Sequence, residues 1–296
     1  MDNLFNSIEI ALISLNADYS INMINTTLLD MFGYTEDELR DKPLNILFNQ
    51  NEYKKIQANL LNSKYSQHIS SIQKFELNAI RHDKTVITLE ITIMQTDIEP
   101  NCKFILILRD LSEINKKLKD LQNLAYYDQL TKTPNRTLFT DRADTALRQA
   151  KRQSEKLAIV YIDVDDFKVI NDTFGHESGD ILLKELSKRF QKCVRDSDTV
   201  SRLGGDEFAI LMLNVKCIND AAIVVERIQK SNLIPIKING TSIIPKTSMG
   251  ISIFPNDGEN INILMKNSDA AMYSAKKNGK NKFVFYNSTI NNKSDQ

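Results

Sequence analysis

An excess of charge of either sign is missing from this 296-residue chain: 38 Lys and Arg face 38 Asp and Glu. Zero net charge argues against a general polyanion binder, so no nucleic-acid partner is expected, though a local basic patch is still compatible with it. Cysteine is scarce. Cys102, Cys193 and Cys217 are odd in number and widely spaced, with no C-x-x-C. That excludes a disulfide framework and a zinc site, and the three read as buried apolar side chains of a reducing compartment. No apolar run approaches the ~20 residues that a membrane span needs. Residues 1–9 lack the basic stretch and apolar core of a signal peptide. A cytoplasmic protein without a membrane partner is therefore expected. Internal repeats and low-complexity tracts are absent as well. What remains is 42% hydrophobic and 26% charged, the make-up of a globular chain long enough for two cores.

The first of these covers residues 1–110. Residues 11–15 and 19–24 are β-type runs around the turn cluster Asn16-Ala17-Asp18. Residues 26–32 read as a helix stopped by Gly33, and Thr35-Glu36-Asp37-Glu38 as a capped helix start. Residues 51–61 place Tyr53, Ile56, Leu60 and Leu61 on one helical face. Strands follow at 74–80, 86–94 and 103–109, turned at Arg81-His82-Asp83-Lys84 and Glu99-Pro100-Asn101. Ile87, Leu89, Ile91 and Ile93 alternate strictly, as a half-buried strand requires. The sum is an α+β domain. In residues 111–127, Leu111, Ile114, Leu118, Leu121 and Ala125 recur at spacings of three and four. This stripe suits either a helix docked on its own chain or a short dimerising coiled coil.

Residues 128–286 make the second domain, and 287–296 a polar tail. Helices are expected at 138–151, 180–194, 220–229 and 261–277, and strands at 157–162, 236–244, 247–254 and 283–286. The strand 157–162 runs into Asp163-Val164-Asp165-Asp166-Phe167-Lys168. Acids at the end of a buried strand are costly unless a cation or solvent meets them. Arg202-Leu203-Gly204-Gly205-Asp206-Glu207-Phe208 lies between two apolar runs. Gly-Gly there reads as a tight hairpin turn, since both glycines take positive φ freely, and it carries two acids to a bare stretch of backbone. Gly-Gly-Asp alone reads better as a solvated hairpin with two surface acids.

The seven residues together resemble the signature of the GGDEF family, the diguanylate cyclases. Asp128-Gln129-Leu130-Thr131-Lys132-Thr133-Pro134-Asn135-Arg136 resembles the opening of that domain, with Lys132 and Thr133 departing from its usual Gly and Leu. Asp163, Asp165, Phe167, Lys168, Asn171, Asp172, Gly175, His176, Gly179 and Asp180 match a second motif in order. The first domain resembles a PAS domain through residues 21–25 and 32–39 and the closing Leu108-Arg109-Asp110-Leu111-Ser112. No His or Cys lies in the 51–61 helix to hold a haem or react with a flavin, and His68 and His82 read as surface residues. An empty or dimerising PAS domain and a ligand-binding one both remain open.

The resemblance implies an α+β chain: a PAS-like antiparallel-sheet domain joined by a signalling helix to a polymerase-palm-like GGDEF α/β domain. It implies that Asp163, Asp206 and the Val164 carbonyl hold Mg²⁺, with Mn²⁺ as a substitute, since the donors are hard oxygens. Asp206 becomes the general base and Glu207 a second catalytic acid. Asn171 and Asp180 read guanine, Gly204 and Gly205 admit the ligand, and Lys168 adds charge near the phosphates. Lys276 and Lys280 match positions that the family gives to the triphosphate, although a helix end also attracts lysines by its dipole. Two domains, each holding one GTP, must face each other to make cyclic di-GMP, so a homodimer is implied. Arg195 and Asp198 match an inhibitory product site; alone they would read as solvated residues at the end of the 180–194 helix. The rival reading is a module that binds GTP or cyclic di-GMP without turnover.

Overall fold

The structure is a computed structural model, and it describes residues 8–65, 73–95, 104–238 and 240–287. His68, Cys102, the turn at Glu99-Pro100-Asn101, the side chain of Leu61 and residues 288–296 lie outside the described residues. Two compact units divide the chain between Asp120 and Leu121.

The first unit is built on a five-stranded antiparallel sheet in the order β2-β1-β5-β4-β3. Its strands are β1 (Ala11–Leu15), β2 (Ile21–Ile24), β3 (Gln73–Ile80), β4 (Val86–Gln95) and β5 (Phe104–Asp110). The alternation in β4 is obeyed, with Ile87, Leu89, Ile91 and Ile93 all buried. Helices α1 (Thr26–Phe32), α2 (Glu36–Leu39) and α3 (Gln50–Tyr65) add Leu28, Phe32, Leu39, Ile56 and Leu60 to the same core. Asn25 caps α1: its Oδ1 accepts from the N–H of Leu28 and of Leu12, and its amide donates to the Ile10 carbonyl. Gly33, in the left-handed region, ends that helix. The expected strand 19–24 starts only at Ile21, because Tyr19 has a φ of 67° and belongs to the turn. A 3-10 turn, Leu44–Leu47, was too short to show a period in the sequence. His82 is exposed and edge-on to Tyr34, as a surface residue.

Asp110 ends β5 with both carboxylate oxygens engaged. Arg81 Nη2 donates to one at 3.0 Å and the Ser112 N–H to the other at 2.7 Å. Ser112 opens α4 (Ser112–Tyr126), so the acid ties the last strand to the helix that leaves it. No residue of α4 is buried, and Ile114, Leu118, Leu121 and Leu124 along it are exposed.

The second unit holds a sheet in the order β12-β11-β6-β8-β7. In chain order its elements are α5 (Arg136–Gln153), β6 (Leu157–Val164), α6 (Phe167–Phe174), α7 (His176–Lys192), β7 (Thr199–Gly204), β8 (Glu207–Met212), α8 (Ile218–Asn232), β9 (Ile236–Ile238), β10 (Thr241–Ile243), β11 (Thr247–Phe254), α9 (Ile261–Lys277) and β12 (Phe283–Phe285). β12 is parallel to β11, and the other pairs are antiparallel. The central β6 is buried along its whole length, which explains its continuous apolar run. Ala158, Val160, Ile162 and Val164 pack with Leu182, Leu186 and Phe190 of α7 and Val225 and Ile228 of α8. Leu157, Ile159 and Tyr161 face the other way, into Phe139 and Leu147 of α5 and Leu264 and Met272 of α9.

Four expectations are corrected. The helix expected at 180–194 begins at His176, and a second helix, α6, precedes it; Gly175, φ 84°, breaks the two apart. The same helix stops at Lys192, so Arg195 lies beyond its end, in a turn where the Asp198 N–H donates to the Arg195 carbonyl at 3.0 Å. The strand expected at 236–244 is a hairpin of β9 and β10, reversed at Gly240 with φ 84°. An Asn-Gly pair at 239–240 is a hairpin signal that the apolar pattern obscured. Cys193 is buried as expected, but Cys217 is exposed, at the N-cap of α8, where no core surrounds it.

Candidate active site

Strands β6 and β8 are neighbours, with Asp163 paired in register to Glu207. The Val164 N–H donates to the Asp206 carbonyl at 3.3 Å. This adjacency brings residues over forty positions apart to one end of the sheet. The β7–β8 hairpin bends at Gly205 and Asp206, one position later than the Gly-Gly pair. Gly204 and Gly205 have φ of 151° and 50°, and a Cβ on either would meet nothing within 4 Å. The glycines therefore serve the turn and keep open space above it.

Asp163 and Asp165 are the only charged residues buried among those described. Burial pushes the Asp163 carboxyl up to about 6; Lys276 opposes this, and the charges of Asp206 and Asp165 add to it. The Asp206 carboxylate is thus an electrostatic neighbour of Asp163. Lys276 Nζ lies 2.7 Å from Asp163 Oδ2. The lysine expected at the triphosphate stands directly over the acid expected at the metal. Lys280 Nζ is 2.7 Å from Asp166 Oδ1 on the adjoining loop.

Asn171 and Asp180 come from α6 and α7. Gly179 lets the two helices close here: a Cβ at that position would stand 1.9 Å from Asn171 Oδ1. That oxygen is buried and has no hydrogen-bond partner. Asp180, the next residue after Gly179, is exposed, as is Lys168 on α6. The structure keeps Arg195 and Asp198 on a separate loop. Asp198 accepts from the Arg195 N–H and the Leu213 N–H, both at 3.1 Å, leaving the Arg195 side chain exposed.

Four further residues, Asp128, Arg136, Tyr161 and Arg202, belong to the site and were not singled out for it in the sequence. Arg202 donates to both Asp128 oxygens at 3.1 Å and to the Gly205 carbonyl at 2.9 and 2.7 Å. It clamps the hairpin bend to the loop before α5. Burial works against the Asp128 charge, but the Thr131 hydroxyl and N–H and the Arg202 guanidinium outweigh it and hold the carboxyl below its usual range. Tyr161 donates to Glu207 Oε2 at 2.9 Å, with Arg136 Nη2 at 3.5 Å from the same oxygen. Burial, reinforced by Glu207, pushes the Tyr161 hydroxyl up to about 12, so it stays a donor at neutral pH. Arg202 and Arg136 lie inside the family motifs; their partners lie 74 and 71 residues away, beyond the reach of local pattern.

Among the described residues no three His, Cys, Asp or Glu side chains gather as a metal site. Asp163, Asp206 and the Val164 carbonyl form a sparser set of hard oxygens. Such a set fits Mg²⁺, which keeps positions for phosphate oxygens and water. The raised Asp163 carboxyl fits as well, since a cation would offset the burial, and then the neighbouring acids, that penalise its charge.

The sequence model of "Diguanylate cyclase, GGDEF domain" matches residues 125–282, and that of the PAS domain matches residues 9–113. The bifunctional diguanylate cyclase/cyclic di-GMP phosphodiesterase MucR of Pseudomonas aeruginosa is 36% identical over 206 residues, covering 70% of this chain and 30% of that protein. The diguanylate cyclase TpbB of P. aeruginosa is 40% identical over 136 residues, covering 45% of this chain and 31% of that one. The chain thus spans under a third of the length of these curated relatives. The solved GGDEF domain of TpbB superposes with a TM-score of 0.57 at 34% identity, covering 58% of this chain and all of that one. With the GGDEF model matching more than half its length, the chain belongs to the GGDEF-domain diguanylate cyclase family and carries a PAS domain ahead of that domain.

Proposed function

We propose that this chain is a diguanylate cyclase, condensing two GTP into cyclic di-GMP with release of two pyrophosphates. The observation that carries this is the meeting of Asp163 and Asp206 at an open glycine turn, with Lys276 alongside. Asp163, Asp206 and the Val164 carbonyl would hold Mg²⁺, which when bound neutralises the triphosphate and favours the alkoxide. Asp206 accepts the proton of a 3′-hydroxyl. That oxygen forms a bond to the α-phosphorus of the facing GTP as the α–β phosphoanhydride bond breaks and pyrophosphate leaves. Lys276 and Lys280 offset the charge on the leaving group, with Lys168 nearby. Glu207, fixed by Tyr161 and Arg136, supports the metal face. Asn171 and Asp180 select guanine. The Arg202–Asp128 clamp holds the bend that carries Asp206.

The test is incubation of the purified chain with GTP and Mg²⁺, with detection of cyclic di-GMP; GTP held without product would instead mark a receptor. The same assay with added cyclic di-GMP reads feedback. Arg195 offers its guanidinium fork to phosphate or guanine on a loop that Asp198 ties to the Arg195 and Leu213 N–H groups. Inhibition that leaves the apparent KM unchanged is expected, and a rise in KM alone would mean that product merely competes with GTP.

One domain holds one GTP, so the reaction needs two chains. The exposed stripe on α4 is proposed as the seam between them. Each leucine buried in such a seam contributes about 1.5–3 kcal/mol. Leu118→Asp with Leu121→Asp is therefore expected to cut activity at low protein concentration by about tenfold or more, with recovery at high concentration. Sedimentation showing an unchanged dimer at an unchanged rate would assign the helix no such role.

A further inference from the structure

Asp165 has no part in the chemistry above, yet it is only 4% exposed. Its carboxylate joins two distant segments. Oδ1 accepts from the Ser248 hydroxyl at 2.7 Å, at the start of β11. Oδ2 accepts from the Asn281 N–H at 2.9 Å, beyond the end of α9. The Asp165 N–H donates to the Lys246 carbonyl at 2.9 Å.

Asn281 closes an unusual turn. Gly279, Lys280 and Asn281 have φ of 108°, 58° and 50° in succession. Glycine takes such values freely, but lysine and asparagine do so at a cost, and they persist there only where surrounding contacts over-determine them. On the α9 side, the Lys280 N–H donates to the Ala275 carbonyl at 3.1 Å. On the far side the hold is the Asp165–Asn281 bond, together with Gln229 Nε2 on the Asn281 carbonyl at 3.3 Å. The residue displayed by this turn is Lys280. Its Nζ reaches Asp166, itself left-handed with φ 57°, at 2.7 Å. Two strained backbone segments thus face each other, one at the end of β6 and one after α9, and Asp165 is the buried link between them.

We propose that Asp165 is a positioning residue: its carboxylate pins the Gly279–Asn281 turn to the end of β6 and so fixes the place from which Lys280 meets the triphosphate. This rests on the cyclase reading, in which Lys280 serves the triphosphate. Without the carboxylate the turn relaxes toward ordinary backbone and carries the ammonium away. A merely stabilising Asp165 would lower the unfolding temperature without any special dependence on Lys280, so the two roles separate in a double-mutant cycle.

The experiment measures the affinity of the full chain, with Mg²⁺, for a GTP analogue whose α–β bridge is methylene, by titration calorimetry. Lys280→Ala and Asp165→Ala are each expected to weaken binding by about tenfold. The double variant is expected to bind no worse than the weaker single one. Asp165→Asn, whose amide oxygen still accepts from the Asn281 N–H, is expected to restore most of the loss, and it replaces Asp165→Ala in the cycle if the latter does not fold. Losses that multiply in the double variant, or an Asp165 variant that lowers the unfolding temperature at unchanged affinity, would overturn the proposal. A wild-type chain that does not bind the analogue would remove the cyclase reading and this proposal together. A wild type that binds it but shows multiplying losses removes the proposal alone.

Discussion

Asp163→Ala and Asp206→Ala are each expected to lower cyclic di-GMP formation by roughly 10³-fold or more while the protein stays folded. Both acids supply charge where none can be borrowed. Glu207 is directed to Tyr161 and Arg136, and Asp165 to Ser248 and Asn281. The fold is expected to survive because neither carboxylate stabilises it. Asp206 sits on a bend that Arg202 holds through the Gly205 carbonyl and Asp128. Asp163 in particular destabilises the fold when it is ionised. Its carboxyl rises from 3.8 to about 6 in the folded chain, so between those values the folded state holds more protons than the unfolded state. Stability then falls as pH rises through that window and does not recover above it. In the presence of a chelator at neutral pH, the isosteric Asp163→Asn should therefore unfold at a temperature equal to or above that of wild type. Activity and stability move in opposite directions. Full activity in either alanine variant would sink the site assignment, and a lost cooperative unfolding transition would trace the defect to folding.

Much of the fold was legible because its signals are local. β4 announces itself by alternation, β6 by an unbroken apolar run, and α1 by a stop at Gly33. α9 ends where expected, at Lys277, for the same reason. The failures lie where a short local feature was outweighed by its surroundings in the sequence. The break at Gly175 lies inside the motif that runs from Asp163 to Asp180, and the β9–β10 reversal inside an apolar stretch. In the site, residue types in order were readable, but pairings were not. Lys276 on Asp163, Tyr161 on Glu207 and Arg202 on Asp128 join residues that no window spans together. Tyr161 meets Glu207 because the sheet order sets β6 beside β8, whereas the other two pairs bring in α9 and the loop before α5, which pack from outside those strands. Periodicity says which face a strand buries, and says nothing about its neighbours.

GTP is expected to be preferred over ATP by roughly 10⁴-fold in kcat/KM, and Asp180→Asn or Asn171→Ala should erase most of that preference. Guanine presents N1–H and the exocyclic amine side by side, both donors. Asn171 Oδ1 is a buried acceptor without a partner, and the carboxylate of Asp180, one residue beyond Gly179, is exposed to take the second donor. Adenine offers an unprotonated N1 and a C–H at those positions, so both acceptors would be left unpaired, at a cost that is largest for the buried Asn171 Oδ1. A third variant tests the geometry without removing any polar group. A Cβ on Gly179 would stand 1.9 Å from Asn171 Oδ1 and 3.1 Å from Phe167 Cζ, so the Asn171 side chain must turn away from its place. Gly179→Ala is thus expected to raise the KM for GTP and reduce discrimination, although Asn171 and Asp180 both remain. The measurement is the initial rate of product formation against nucleotide concentration for wild type and the three variants. Comparable turnover of GTP and ATP by wild type would refute the assignment of Asn171 and Asp180. A Gly179→Ala protein with unchanged discrimination would show that the helix contact plays no part in reading the base.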